Sequence, residues 1–312
     1  MTQPDHLAYW KAKNPNYWRR AWWHDYSGIG TYMITMLKNP AVPSFGRVDA
    51  PEGRAEKARV YLSQTGLLVN NVIHNYQLTR PWLRIYRRIV MPDHVHFVIY
   101  IKESGHNLGQ CVSEIKGECT RAIGATAFLP GYHDRISTSY AQAKTMCRYV
   151  SDNPRRLYLK MHNPQYFSVR HRLTIGGIEY EAIGNPHLLE SPFIQAVRIS
   201  SAYAPELTEK LRKRWHFNAK RGGVLVSPFI SPKEKEVRDY ALETRGNIIL
   251  LEENGFTDRY KPSGPYMDAC AEGRVLIIAP LSYHTEKPAS LRQRALQLNA
   301  LAAEIAGVGN FV

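Results

Sequence analysis

The sequence predicts an α+β domain followed by an α/β domain, and three observations carry that prediction. Its 312 residues exceed what one hydrophobic core usually organises. The first half alternates apolar and polar residues at a period of two, as half-buried strands do, between helical stretches. The second half holds short runs that are apolar on both faces and separated by helices, the mark of a parallel sheet.

In the first half, Gly30-Thr31-Tyr32-Met33-Ile34-Thr35-Met36-Leu37 reads as a strand, following the aromatic stretch Tyr17-Trp18-Arg19-Arg20-Ala21-Trp22-Trp23. A polar, Pro/Gly-rich stretch over 39–53 leads into a helical segment that ends near residue 65. Residues 82–90 place Leu83, Ile85 and Ile89 on one parity and Arg84 and Arg88 on the other. Met91-Pro92-Asp93 makes a turn, because proline presets the bend and aspartate bonds its own backbone. A second strand follows over 93–102. Leu108, Cys111, Val112, Ile115, Cys119, Ala122 and Ile123 recur at a helical period, so 107–124 is a helix with one apolar face. Another helix covers 139–160. Two helices on one face of an antiparallel sheet with a central hairpin describe a ferredoxin-like α+β domain, assigned to residues 1–165. The Asn-, Pro-, Gly- and His-rich stretch beyond it reads as a connector, set at 166–194. Strands at 196–200, 223–227, 247–251 and 274–279 then alternate with helices near 205–219, 232–244 and 288–306. That pattern predicts a Rossmann-like parallel-sheet domain over 195–312.

The formal charge of +14 is uneven. Residues 1–165 hold 22 Lys and Arg against 11 Asp and Glu, whereas the remainder holds 19 against 16. A surplus of that size in one half points to a polyanion, and nucleic acid is the commonest; a basic protein without such a partner and a membrane-surface binder are the alternatives. No apolar run is long enough to cross a bilayer, and the N-terminal residues do not read as a secretory signal. Cys111, Cys119, Cys147 and Cys270 lie far apart without a C-x-x-C pair, against both a disulfide framework and a zinc knuckle. A reducing, cytoplasmic and nucleoid-associated setting is the expectation.

His94 and His96 stand two apart on a strand, so both imidazoles leave one face of the sheet. Two such rings can bind one metal ion if a further ligand arrives from elsewhere; a hydrogen-bonded core histidine beside an incidental one gives the same pattern. A divalent ion there would orient a phosphodiester and offset the charge of its transition state, and with oxygen ligands it would be Mg2+ or Mn2+. Tyr149 precedes Asn153 by four residues, so a helix puts both on one side. A phenol can attack phosphorus and an amide oxygen can join a metal shell. Tyr140 and Tyr158 share that helix and compete for the role.

Met91-Pro92-Asp93-His94-Val95-His96, then Gly131-Tyr132-His133-Asp134-Arg135-Ile136, then Arg148-Tyr149-Val150-Ser151-Asp152-Asn153-Pro154 together resemble the single-tyrosine HUH transposases, nearest the REP-associated tyrosine transposases. Gly30-Thr31-Tyr32 is similar as well, so the resemblance spans residues 28–160. It implies a ferredoxin-like nuclease core that cleaves single-stranded or hairpin DNA through a covalent 5′-phosphotyrosine and often dimerises. Carried over by position, His94 and His96 are metal ligands, Tyr149 the nucleophile and Asn153 a third ligand. Arg84, Arg88, Arg148, Arg155 and Arg156 are the candidate DNA-binding side chains. Many relatives have asparagine where this chain has Asp93. His133, Asp134 and Arg135 fit a structural hydrogen-bonding cluster better than direct catalysis.

The second half resembles the Rossmann-like DNA-processing protein A family over residues 195–306, through Leu250-Leu251-Glu252-Glu253-Asn254-Gly255-Phe256, Tyr260-Lys261-Pro262, Ala269-Cys270-Ala271-Glu272-Gly273-Arg274 and Leu298-Asn299-Ala300-Leu301-Ala302. Ser200-Ser201-Ala202 and Ser227-Pro228-Phe229 replace that family's Gly-Ser-Arg and Gly-rich segments, so phosphate binding does not transfer. Ser231-Pro232-Lys233-Glu234 reads as a helix cap. The basic residues between Lys210 and Arg221 read as a solvated helix face. The leading expectation is a metal-dependent nicking and joining enzyme. A domesticated hairpin-binding protein and a nucleotide-binding Rossmann module are the alternatives, and the missing glycine fingerprint counts against the last.

Overall fold

The computed structural model describes residues 20–21, 23–200, 202–257, 260–280, 283 and 291–307. Tyr17–Arg19 and Trp22 of the aromatic stretch, Ser201, and residues 288–290 of the expected last helix lie outside the described residues. The chain divides into two compact units, Met1–Tyr158 and Leu159–Val312.

The first unit is built on a four-stranded antiparallel sheet in the order β4-β5-β1-β6. Its strands are β1 (Gly30–Leu37), β4 (Leu83–Val90), β5 (His94–Ile101) and β6 (His133–Ser137). A small hairpin of β2 (Gly46–Asp49) and β3 (Arg59–Leu62) stands apart from it. Two helices cover one face of the sheet, α1 (Gln64–Leu78) and α2 (Leu108–Ile123). Ser63 caps α1 by accepting from the Gly66 amide, and Val69, Ile73 and Tyr76 recur at helical spacing on its buried side. Asn107 caps α2 by accepting from the amides of Gly109 and Gln110, and Gly124 closes it at φ 77°. Leu108, Cys111, Val112, Ile115 and Cys119 form its buried stripe.

Three expectations are corrected here. The helical segment placed before residue 65 is the β2–β3 hairpin with short 3-10 turns, and the helix begins at Gln64 instead. The helix expected at 139–160 is α3 (Tyr140–His162), but it does not share a face with α2. Its Met146 and Val150 pack on Val98, on the opposite side of the sheet. In β4, Ile85 pairs with Ile99 and Arg87 with Val98, leaving Tyr86 as an extra residue. This bulge reverses the parity beyond it. Ile89 therefore joins Val98 on the α3 side, while Arg88 turns to the α1 side and donates to Asn70 at 3.1 Å.

The second unit is a six-stranded sheet in the order β7-β8-β12-β11-β10-β9. The strands β9 (Ile194–Ala196), β10 (Val224–Ser227), β11 (Asn247–Leu251) and β12 (Val275–Pro280) run parallel. The stretch expected to be a connector forms β7 (Arg170–Ile175) and β8 (Ile178–Gly184), an antiparallel flank on β12. Each crossover moves one strand in the same direction, so α4 (Pro205–Lys220), α5 (Pro232–Glu243) and α6 (Pro265–Ala271) share one core. The final helix, α7 (Leu291–Ile305), packs with the other core. The parallel strands are thus singly wound and, among the described residues, lack the strand-order reversal that opens a ligand crevice in doubly wound sheets.

Gly66 sits where α1 passes the backbone before β2; a methyl there would lie 1.8 Å from the Phe45 carbonyl oxygen. Gly117 on α2 has only Arg121 Nη1 nearby, at 3.5 Å. Gly66→Ala is expected to destabilise the chain by about 3 kcal/mol. Gly117→Ala should stabilise it by about 0.5–1 kcal/mol. Urea denaturation curves check both, and equal shifts of one sign would contradict the packing described.

Candidate functional site

The site grows out of β5. Its alternation sends Val95, Phe97, Ile99 and Ile101 into the core with α1 and α2. His94, His96, Val98 and Tyr100 therefore take the outer face, the one crossed by α3. The imidazoles of His94 and His96 have centroids 4.5 Å apart, and the Tyr149 ring lies 5.7 Å from that of His96. His96 is buried, whereas Tyr149 keeps 38% of its surface exposed. A buried imidazole beside a solvent-accessible phenol suits a site that a polymer must reach.

Each ring is held by its Nδ1. His94 Nδ1 donates to the Asp93 carboxylate at 2.6 Å, and His96 Nδ1 shares a 2.8 Å hydrogen bond with Thr35 Oγ1 on β1. Such partners fix ring orientation and tautomer, so any metal contact would fall to Nε2. Asn153 is buried, with its amide nitrogen donating to the Tyr149 carbonyl at 2.7 Å, so any ligand role falls to its Oδ1. Among the described residues, no group of three or more His, Cys, Asp or Glu is placed to hold a metal.

The competing tyrosines separate clearly. Tyr140, the first residue of α3, is 85% exposed, and Tyr158 is buried with Val48, Ala50 and Met91. Tyr149 instead sets its ring against that of His96. Arg156 places its guanidinium 5.4 Å from the Tyr149 ring centroid, and Arg148 is exposed one residue before Tyr149. Arg155 is engaged by Asp152 at 2.6 and 2.9 Å. Arg84 is exposed on the outer face, whereas burial lowers the pKa of Arg88 on the other. The arginines are therefore not gathered on one surface.

In the Gly131–Ile136 segment, Asp134 forms a hydrogen-bonding cluster of the kind expected from the sequence. Asp134 faces the α1–α2 side, where its carboxylate accepts from Arg20 and from Tyr26 Oη at 2.9 Å. Arg20 also lies 3.8 Å from the Tyr132 ring centroid. Burial pushes Tyr132 up to about 12. His133 and Arg135 pair with Thr35 and Met33 of β1 and so share the face of His96. Neither Thr35 nor Arg20 was legible as a site residue, because their partners lie 61 and 114 residues away.

In the second unit, the start of α5 is filled from within. Ser231 and Glu234 form the expected capping box, and buried Glu234 also accepts from the Ile199 amide at 2.9 Å. Ser227 Oγ accepts from the Phe229 amide, and buried Phe229 occupies the turn. Side chains thus stand where a phosphate-binding loop would need bare backbone. On α4, Arg212 and Lys213 pair with Glu209. No described helix is long and apolar enough to cross a membrane.

No family model matches this chain. No curated protein matches it either. Among solved structures it is similar to one described as the structure of the REP-associated tyrosine transposase bound to a REP hairpin. The identity is 18%, with 43% of this chain and 72% of that chain covered, at a TM-score of 0.34.

Asp134→Ala would strip Arg20 of its buried carboxylate partner, whose side chain is 4% exposed. The expected cost is about 3 kcal/mol of stability in urea denaturation. A variant as stable as the parent would contradict the structural role.

Proposed function

We propose that the first unit is a metal-dependent, tyrosine-mediated enzyme that nicks and rejoins single-stranded DNA, with hairpin DNA as its substrate. One observation carries the reading: β5 and α3 bring His94, His96 and Tyr149 together on one sheet face, with the phenol accessible. The sheet order and its two-helix face accord with the ferredoxin-like core that the three motifs imply.

The donor set fits a divalent ion in part. Two imidazoles with engaged Nδ1 atoms and one amide oxygen suit several such ions, and solvent oxygens would complete a shell for Mg2+ or Mn2+. When bound, the ion would polarise a phosphoryl oxygen. Tyr149 Oη attacks phosphorus and forms the 5′-phosphotyrosine, its proton passing to solvent. The bond to the 3′ oxygen breaks, and that oxygen takes up a proton and leaves as a hydroxyl. Attack by another 3′-hydroxyl reverses these steps and joins the strands. The Arg156 guanidinium, 5.4 Å from the ring centroid, adds positive charge beside the nucleophile.

A second reading has its own support. The absence of a third His, Cys, Asp or Glu ligand among the described residues fits a protein that keeps the fold to bind hairpins without cutting them. Labelled hairpin DNA incubated with Mn2+ separates the two readings. A denaturant-resistant protein–DNA adduct is expected, and Tyr149→Phe should abolish it. If the parent forms no adduct yet binds tightly in a salt-sensitive way, the binding reading holds.

Asp93→Asn tests the histidine pair separately. Exchanging the carboxylate behind His94 for an amide is expected to weaken Mn2+ binding about tenfold, read by calorimetry without DNA. Unchanged affinity would remove Asp93 from the site.

A further inference from the structure

The outer sheet face extends beyond the histidine pair to Tyr100 and the bulged Tyr86. Their rings lie nearly parallel, 12° between planes and 5.9 Å between centroids. Tyr86 is 45% exposed, and the Arg84 guanidinium sits 5.6 Å from its ring centroid. The bulge makes this possible, because an unbroken ladder would follow outward Arg84 and inward Ile85 with a single outward residue. Instead Tyr86 and Arg87 are both exposed, with Arg87 paired to outward-facing Val98. On the four strands, no outward-facing position is acidic, while Arg84, Arg87 and Arg135 all face this way.

We infer that Tyr86 and Tyr100, flanked by Arg84 and Arg87, form a stacking platform for unpaired bases of single-stranded DNA. Exposed aromatic faces bind bases of any identity, and arginines beside them take the backbone phosphates. A duplex presents stacked, inaccessible base faces, so this chemistry selects single strands. Met146 and Val150 of α3 cover Val98, which lies between Tyr100 and His96 on β5. Tyr100 therefore stands apart from the histidine pair, about 13 Å from His96 along the strand. The choice of DNA rests on the proposed nicking function, but base stacking itself needs no metal.

The test is fluorescence anisotropy of the full chain with labelled oligothymidylate in EDTA, repeated with a duplex of the same length. Tyr86→Ala/Tyr100→Ala is expected to weaken single-strand binding at least about fivefold, while thermal melting confirms the fold. Tyr86→Phe/Tyr100→Phe keeps both π faces and should bind as the parent does. Arg84→Ala should flatten the salt dependence, whereas the double alanine variant should leave its slope unchanged. Parent-like binding by the double alanine variant overturns the platform, as does an equal loss on duplex. A phenylalanine variant as weak as the alanine one also overturns it. The adduct assay keeps the two ideas apart. An adduct that persists while the tyrosines prove irrelevant sinks only the platform. Tyrosine-dependent binding without any adduct sinks only the nicking reaction.

Discussion

The register of β5 between β1 and β4 is the constraint on which the first unit depends. Each of Val95, Phe97, Ile99 and Ile101 is essentially fully buried, and burying a side chain of that kind stabilises a fold by about 1.5–3 kcal/mol. A slip of one residue would turn all four away from that core and carry both imidazoles into it, where unpaired polar groups are costly. The packing that selects the fold therefore also aims the histidines. It sets Thr35 opposite His96, which gives that ring its hydrogen-bond partner. It also leaves Val98 as the apolar seat for α3, whose Met146 and Val150 bring Tyr149 alongside. Core and site are two readings of one alternation.

That alternation is why much of this region could be read from residues alone. The limits of β1, the β4–β5 hairpin and the stripe of α2 all follow from local periodicity. The histidine pair and the tyrosine helix were legible for the same reason. What escaped had no local signature. The hairpin β2–β3 consists of four-residue strands around Pro51 and Gly53, too short for a period to show. Flank strands β7 and β8 expose Arg170, His171, Arg172 and Glu179, so they present the composition of a loop. The bulge at Tyr86 shifts parity without changing any residue type, which is how Arg88 and Ile89 exchanged faces. Hydrogen bonds such as Thr35–His96 join residues that only the fold brings together.

The second unit has a familiar element pattern whose helix start is filled by side chains. Its strand–helix alternation is that of a nucleotide-binding sheet, yet the parallel strands advance in one direction only. A phosphate cradle also needs amides free at a helix start. Here the Glu234 carboxylate accepts from Ser231 and Ile199, tying the segment after β9 to the beginning of α5. That internal anion satisfies the helix dipole from within the fold. The capping box read from Ser231 and Glu234 was thus correct locally, while its long-range bond to Ile199 was invisible to a local pattern.

The bulge in β4 has a bearing on how this surface can diverge. With Tyr86 set aside, Leu83 and Ile85 before it and Arg88 and Val90 after it already occupy the inward positions of a regular strand. The core places no demand on the extra residue. Replacement at that position changes what the face touches while the register on both sides persists. Mutational drift can therefore explore new contacts there at little cost to folding, whereas the neighbouring inward positions are held by the packing beneath them.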